Sequence, residues 1–182
     1  MTRAVFFDRD GVLNEAVVRD GKPYPPPDAA ELRIVAGAAE ALTRLKREGY
    51  WLLVVTNQPD VARGTTSRDA VEAIHATLGA ALPLDGFYTC WHDDRDACTC
   101  RKPLPGLLLQ AAGERGIDLA ASVLVGDRWR DIDAGAAAGC RTILIDRGYR
   151  ERNSSQAPDA RVASLEDAVQ QILAWGRCIL PE

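Results

Sequence analysis

The stretch Val5-Phe6-Phe7-Asp8-Arg9-Asp10-Gly11 constrains this chain more than any other. A short apolar run that stops abruptly at two aspartates spaced i, i+2 describes a buried strand delivering carboxylates to its C-terminal end. In an open α/β sheet, that edge is where ligands bind. Neither carboxylate suits the core, since burying an unpaired charge is costly, so both call for a cation or a strong set of donors. Gly11 permits a tight turn beside whatever they hold. Taken alone, Asp-x-Asp is equally an ordinary acidic turn after a strand. What the rest of the chain brings to the same edge decides between the two.

Further strand-like runs follow. Trp51-Leu52-Leu53-Val54-Val55 is continuously apolar, as in a strand covered on both faces, and ends in Thr56-Asn57-Gln58. Gly86 to Thr89 reads as a strand entering a cysteine-rich loop, Val123 to Val125 as one ending in Gly126-Asp127, and Thr142 to Ile145 as the last central strand. Between them, helical spacing puts Ala38, Ala41, Leu42 and Leu45 on one face before Gly49, and Val71, Ile74, Leu78 and Leu82 on another over Ser67 to Leu82. His75 falls off that second stripe and is expected to face solvent. Pro103 and Pro105 bracket the start of a helix running through Leu107 to Arg115, and Ile132 to Ala138 forms a short alanine-rich one. Ser164-Leu165-Glu166-Asp167 has the spacing of a capping box and opens a last helix to Trp175. Asn14 to Pro27, polar and proline-rich around the Asp20-Gly21-Lys22 turn, is expected to be an irregular excursion over the sheet edge, and Gly148 to Pro158 is loop-like. The alternation predicts an α/β fold, a doubly wound parallel sheet in one domain over residues 1–175, with 176–182 as a tail and no large cap domain.

Composition narrows the function. A net charge of −4 gives no basic field to recommend nucleic acid or an anionic membrane as partner. No apolar run has the length of a membrane span, and Met1-Thr2-Arg3 leads straight into the first strand without the apolar region of a signal peptide, so the cytoplasm is the expected compartment. Of five cysteines, Cys90, Cys98 and Cys100 share one short loop, which in a reducing compartment favours a metal over a disulfide.

Four strand ends or loops thus carry polar residues to one edge: Asp8 and Asp10, Thr56 and Asn57, Arg101 and Lys102, and Asp127 with Asp131. The set fits phosphoryl transfer through an aspartyl phosphate. A carboxylate attacks phosphorus without prior deprotonation, a second moves the leaving-group proton, and Mg²⁺ lets anionic nucleophile and anionic phosphate approach. Hydroxyl, amide and ammonium donors stabilise charge on the transferring oxygens. Against this, Arg101 and Lys102 could be a solvated basic pair, and Asp127 and Asp131 a charge pattern favourable to a helix N-terminus. Asp127, closing an apolar strand, resists that reading better than Asp131 or Asp133. Arg128 and Arg130 are expected to be exposed, with Arg128 near enough to touch substrate.

In sequence order, Asp8-Arg9-Asp10-Gly11, Thr56-Asn57-Gln58, Arg101-Lys102-Pro103 and Gly126-Asp127 resemble the four motifs of the haloacid-dehalogenase superfamily, and more closely its small capless branch of heptose-bisphosphate and histidinol phosphatases. The resemblance covers about Ala4 to Gly148. It implies Asp8 as nucleophile, Asp10 as general acid and then base, Thr56 and Lys102 on the transferring phosphate, and Asn57 and Arg101 positioning substrate. It further implies Mg²⁺ held by Asp8, the Asp10 carbonyl and Asp127, with Asp131 behind them. The implied substrate is a small phosphorylated metabolite, a heptose bisphosphate or related sugar phosphate, with histidinol phosphate as the alternative; a domain of this size can act as a monomer. A non-catalytic phosphosugar-binding protein on the same fold would have no need of both a nucleophile and an acid.

Cys90, His92, Cys98 and Cys100 offer three thiolates and an imidazole, a full tetrahedral set for structural Zn²⁺, although their spacing is not that of a common finger. The pairs do resemble the zinc loop of the same branch, which implies that the ion braces Arg101 and Lys102. A redox-active cysteine cluster is the competing reading. Asp93, Asp94 and Asp96 are spare oxygens beside a site already full of soft ligands. Cys140 reads as a small buried hydrophobe and Cys178 as incidental. Pro59-Asp60-Val61, a short zinc loop containing Trp91, and the 15–27 excursion depart from the branch's pattern and bear on which ester is taken.

Overall fold

A computed structural model of the protein describes residues 2–177. Six parallel strands form its sheet. The first, β1 (Ala4–Phe7), is wholly buried, with Val5 and Phe7 facing one apolar cluster and Ala4 and Phe6 the other, as expected for a strand covered on both sides. A two-stranded antiparallel hairpin, β2 (Val17–Arg19) and β3 (Lys22–Tyr24), comes next, then α1 (Ala38–Arg47), β4 (Trp51–Asn57), the single turn α2 (Pro59–Ala62) and α3 (Arg68–Ala81). After β5 (Gly86–Cys90) the chain makes the cysteine loop, α4 (Gly106–Arg115), β6 (Val123–Gly126), α5 (Trp129–Ala138), β7 (Arg141–Ile145), β8 (Ala160–Val162) and α6 (Leu165–Arg177).

The strand order β5-β4-β1-β6-β7-β8 sets the position of the site. Winding proceeds outward from β1 through β4 to β5, returns to the other side of β1, and proceeds outward again. The reversal opens a crevice between the C-terminal ends of β1 and β6, where doubly wound sheets bind ligands. Residues of α1, α3 and α6 close one face over Val5, Phe7, Leu52 and Val54, while α4 and α5 close the other over Phe6, Leu53, Val55 and Leu124. Ser67 is the N-cap of α3 and accepts from the Ala70 N–H at 3.1 Å; Ser164 does the same for Asp167 at the start of α6.

Several sequence expectations need correction. The 14–27 excursion is ordered by the β2–β3 hairpin, whose turn at Asp20 and Gly21 has φ of 53° and 75°; two successive residues at positive φ make the tight turn that matches strand twist. Beyond the last central strand, β8 adds an edge strand to β7. Helix α5 begins at Trp129 rather than Ile132, and α6 continues to Arg177, past the expected end at Trp175. His75 is buried, not solvent-facing. Its ring stacks on Phe87 at 4.6 Å, so an imidazole one position off the apolar stripe is drawn into the α3–β5 contact by an aromatic partner. Cys178, with the rest of the expected tail beyond Arg177, lies outside the described residues. Among the described residues, no helix is long and apolar enough to cross a membrane.

Candidate active site

Asp8 directly follows β1, its backbone N–H still donating to Val125 O of β6 at 2.9 Å, so its side chain is fixed by the sheet itself. The Lys102 ammonium, on the loop before α4, is buried and donates to three oxygens: Asp8 Oδ1 at 2.9 Å, Val55 O at 2.8 Å and Asp131 Oδ1 at 2.5 Å. Burial alone would lower the lysine's pKa; the carboxylates of Asp131 and Asp8 outweigh it and hold the ammonium charged. Asn57 fastens this lysine by its backbone, donating to Lys102 O at 3.0 Å and accepting from Lys102 N at 3.1 Å. Its amide is therefore engaged by the loop, although the residue also borders the cavity.

Carboxylates of Asp8, Asp127 and Asp131 come together with oxygens within 4.8 Å of one another. Three acids against one lysine leave an excess of negative charge. Burial pushes the Asp8 carboxyl up to about 6, against the pull of Lys102 and with added repulsion from Asp131 and Asp10. Burial, then Asp8 and Asp131, push Asp127 well above the usual carboxylate range. Both Asp127 oxygens are buried without a hydrogen-bond partner, with the Tyr149 phenol close by. A hard divalent cation with oxygen ligands fits this donor set, and Asp8 and Asp127 are the residues free to hold it. Asp131 is otherwise engaged, one oxygen on Lys102 and the other on the Arg128 N–H at 3.1 Å, where it caps α5. Two glycines make this approach possible. A Cβ on Gly11, whose φ is 86°, would collide with Asp127, and one on Gly126 with Asp131.

Asp10 accepts four donors: Arg9 Nε at 3.1 Å, Arg9 Nη2 at 2.9 Å, Asn14 Nδ2 at 3.0 Å and Gln58 Nε2 at 3.0 Å. Arg9 and Gln58, both buried, escape sequence reasoning. For Gln58 the available signal is its i+2 relation to Thr56, which puts both on one side of an extended segment. For Arg9 there is none, because strand alternation would turn it away from Asp8 and Asp10, whereas the chain leaves the strand at Phe7.

A cavity of about 270 Å³ opens from Asp8, Asp10, Thr56 and Lys102. Its outer wall holds Lys22, Arg63, Arg101, Arg128 and Arg130 against Asp60 and Asp94, with Tyr24 and Pro25 supplied by the hairpin. Arg128 and Arg130 are half-buried rather than exposed: Arg128 pairs with Glu151, and Arg130 reaches Asp94 Oδ1 at 3.5 Å. Asp94, expected to be spare, also takes Arg101 Nε at 2.8 Å.

Beside the cavity, Cys90, His92, Cys98 and Cys100 converge. Separations are 3.3 Å for Cys100–Cys90, 3.5 Å for Cys100–Cys98, 3.8 Å for Cys90–Cys98, and 3.7 and 3.3 Å from His92 Nδ1 to Cys90 and Cys100. Zinc bonds of about 2.0–2.3 Å in a tetrahedron put ligands roughly 3.3–3.8 Å apart, so these four atoms fit that ion. Burial pushes the Cys90 thiol far up, and a cation would be needed to hold it as thiolate.

The model of the Hydrolase_like (HAD-hydrolase-like) family matches residues 99–168. D-glycero-β-D-manno-heptose-1,7-bisphosphate 7-phosphatase of Pasteurella multocida is 38% identical, over 81% of this chain and 84% of that protein. The enzyme of the same name from Escherichia coli K12 is 34% identical over 93% of each. Among solved structures, D,D-heptose 1,7-bisphosphate phosphatase from B. bronchiseptica, complexed with magnesium and phosphate, superposes with a TM-score of 0.77 at 29% identity, covering 96% of this chain and 99% of that one. A putative HAD-like phosphatase from Mesorhizobium loti gives 0.75 at 27% identity, over 100% and 88%. With the parallel sheet, the carboxylates at its switch point and relatives matched over most of their length, the chain belongs to the haloacid-dehalogenase-like hydrolase family, as one of its phosphatases.

Proposed function

We propose that this phosphatase is Mg²⁺-dependent and hydrolyses a phosphorylated sugar, D-glycero-β-D-manno-heptose 1,7-bisphosphate or a close relative of it, through a phosphoryl group carried on Asp8. The observation that carries the mechanism is the buried Asp8 carboxylate bonded to Lys102 beside an Asp127 whose two oxygens have no partner. The substrate reading rests on relatives of that name at 34–38% identity and on the cation-rich outer wall, which suits a second phosphate.

Asp8 attacks phosphorus as the bond to the ester oxygen breaks, and Asp10 gives the departing oxygen its proton. Water then attacks the same phosphorus, loses a proton to Asp10, and the bond to Asp8 breaks to release orthophosphate. Thr56 and Lys102 donate to the transferring oxygens, while Asn57 keeps the Lys102 backbone in place. Arg101 and Arg128 guide the rest of the substrate. Asp8, Asp127 and the Asp10 carbonyl would hold Mg²⁺, which when bound offsets the charge between nucleophile and phosphate. Cys90, His92, Cys98 and Cys100 would hold a Zn²⁺ that braces the loop carrying Arg101 and Lys102. We read the protein as a single-domain monomer of the cytoplasm: a domain of this size can act alone, and clustered cysteines suit a reducing compartment.

Phosphate release from a panel including heptose bisphosphate, other sugar phosphates and histidinol phosphate tests this, with wild type and Asp8→Asn, in Mg²⁺ and in chelator. Comparable release by Asp8→Asn removes the mechanism. Preference for histidinol phosphate removes the sugar.

A further inference from the structure

Gln58 immediately follows β4 and is 2% exposed. Its backbone N–H donates to Cys90 O at 2.8 Å, tying it to the end of β5. Its side-chain nitrogen stands 3.0 Å from Asp10 Oδ2 and 3.0 Å from Thr56 Oγ1. The NH₂ end of the amide faces Asp10 Oδ2, which accepts from Arg9 Nη2 as well. The second N–H of that group goes to Thr56 Oγ1, which settles the hydroxyl as well. A hydroxyl oxygen that accepts from Gln58 keeps its own proton to give, and Thr56 borders the cavity with Asp8 and Lys102.

The other donors to Asp10 come from Arg9 and Asn14, within its own turn. Gln58 alone among the four reaches it from another strand. We infer that Gln58 is a positioning residue for phosphoryl transfer: one buried amide turns the Thr56 hydroxyl into a donor to the transferring phosphate and ties the Asp10 carboxylate to the end of β4. Water in that position would hydrogen-bond equally well but could reorient, leaving the hydroxyl free to point away from the phosphate. The inference rests on the roles proposed above for Thr56 and Asp10.

A double-mutant cycle on the full chain with a saturable sugar phosphate tests it, with folding checked by melting and circular dichroism. Gln58→Met, similar in size but without a donor, is expected to lower kcat about 10- to 100-fold with KM changed less than about threefold, the pattern of an interaction that matters mainly in the transition state. Gln58→Glu is closer in shape yet is expected to be worse, because its carboxylate accepts from Thr56 and turns the proton away from phosphate. In a Thr56→Val background, Gln58→Met should cost less than about half its original loss on a logarithmic scale, as coupled groups do. Should Gln58→Met not fold, Gln58→Ala enters the same cycle. An equal loss in both backgrounds, or Gln58→Glu as active as Gln58→Met, overturns the inference while leaving the proposed mechanism standing. Thr56→Val with full activity overturns both.

Discussion

Asp131→Ala offers a sharp test of how the charged centre is held together. Asp131 is 1% exposed, with one oxygen on the Lys102 ammonium and the other on the Arg128 N–H. Removing one partner of a buried ion pair costs about 3–5 kcal/mol, since the survivor is left charged in a poor solvent. Lys102 keeps two of its three acceptors, Asp8 and Val55 O, which places its share near the low end, ~3 kcal/mol. Loss of the Asp131 contact to the Arg128 N–H, which caps the start of α5 from its third residue, adds ~1 kcal/mol. At about 2–4 °C per kcal/mol for a chain of this size, the sum of ~4 kcal/mol lowers Tm by roughly 8–16 °C. Thermal melting at neutral pH, with denaturant titration to confirm an unchanged slope, measures it. Glu72→Ala, which breaks the exposed Arg68–Glu72 pair on α3, serves as control and should stay within about 0.5 kcal/mol. A fall in Tm for Asp131→Ala no larger than the control's would refute the reasoning, because the buried pair would then contribute no more than a surface one.

His75 should make stability fall on acidification. Burial, then the positive charge of Arg9, lowers its folded pKa to about 4 against 6.5 when unfolded. Between those values the unfolded chain binds the extra proton, so this contribution is full above pH 6.5, declines below it and levels off near pH 4, by ~3 kcal/mol at most. His75→Phe keeps the stack on Phe87, and its stability relative to wild type should rise across that window; a difference flat with pH would sink the assignment. Chelating the Zn²⁺ proposed for the cysteine cluster should lower Tm and phosphatase turnover together, because a site absent from the unfolded chain links metal affinity to folding. Unchanged melting after metal analysis shows the ion gone would refute a structural role.

The sheet was legible because β1, β4 and β6 are continuous apolar runs, each ending abruptly in polar residues. Strand ends also announced Asp8, Thr56 and Asp127. What stayed hidden depends on contacts distant in sequence. Asp131 looked like helix-terminal decoration until Lys102 arrived from 29 residues away, and His75 looked solvated until Phe87 covered it. The hairpin's own turn signal, Asp20-Gly21, was visible, but a strand containing Pro23 argues against itself; here Pro23 sits in a two-stranded ribbon at the cavity wall, where a missing N–H is tolerated. Nothing in the order of residues says that Asn57 would spend its amide on a backbone.

The place of β1 in the sheet has a consequence for biosynthesis. Of the six strands of the sheet it is made first, yet one of its two neighbours, β6, begins at Val123, and the Ala4 N–H bonds to Ser122 across 118 residues. Until Val123 to Val125 have been made, Val5-Phe6-Phe7 has an open side, an apolar strand edge of the kind that pairs with other chains. The segment that leads into Asp8 is thus also the one most in need of shelter during translation, and a nascent chain halted before β6 should be markedly more prone to aggregate than one released after it.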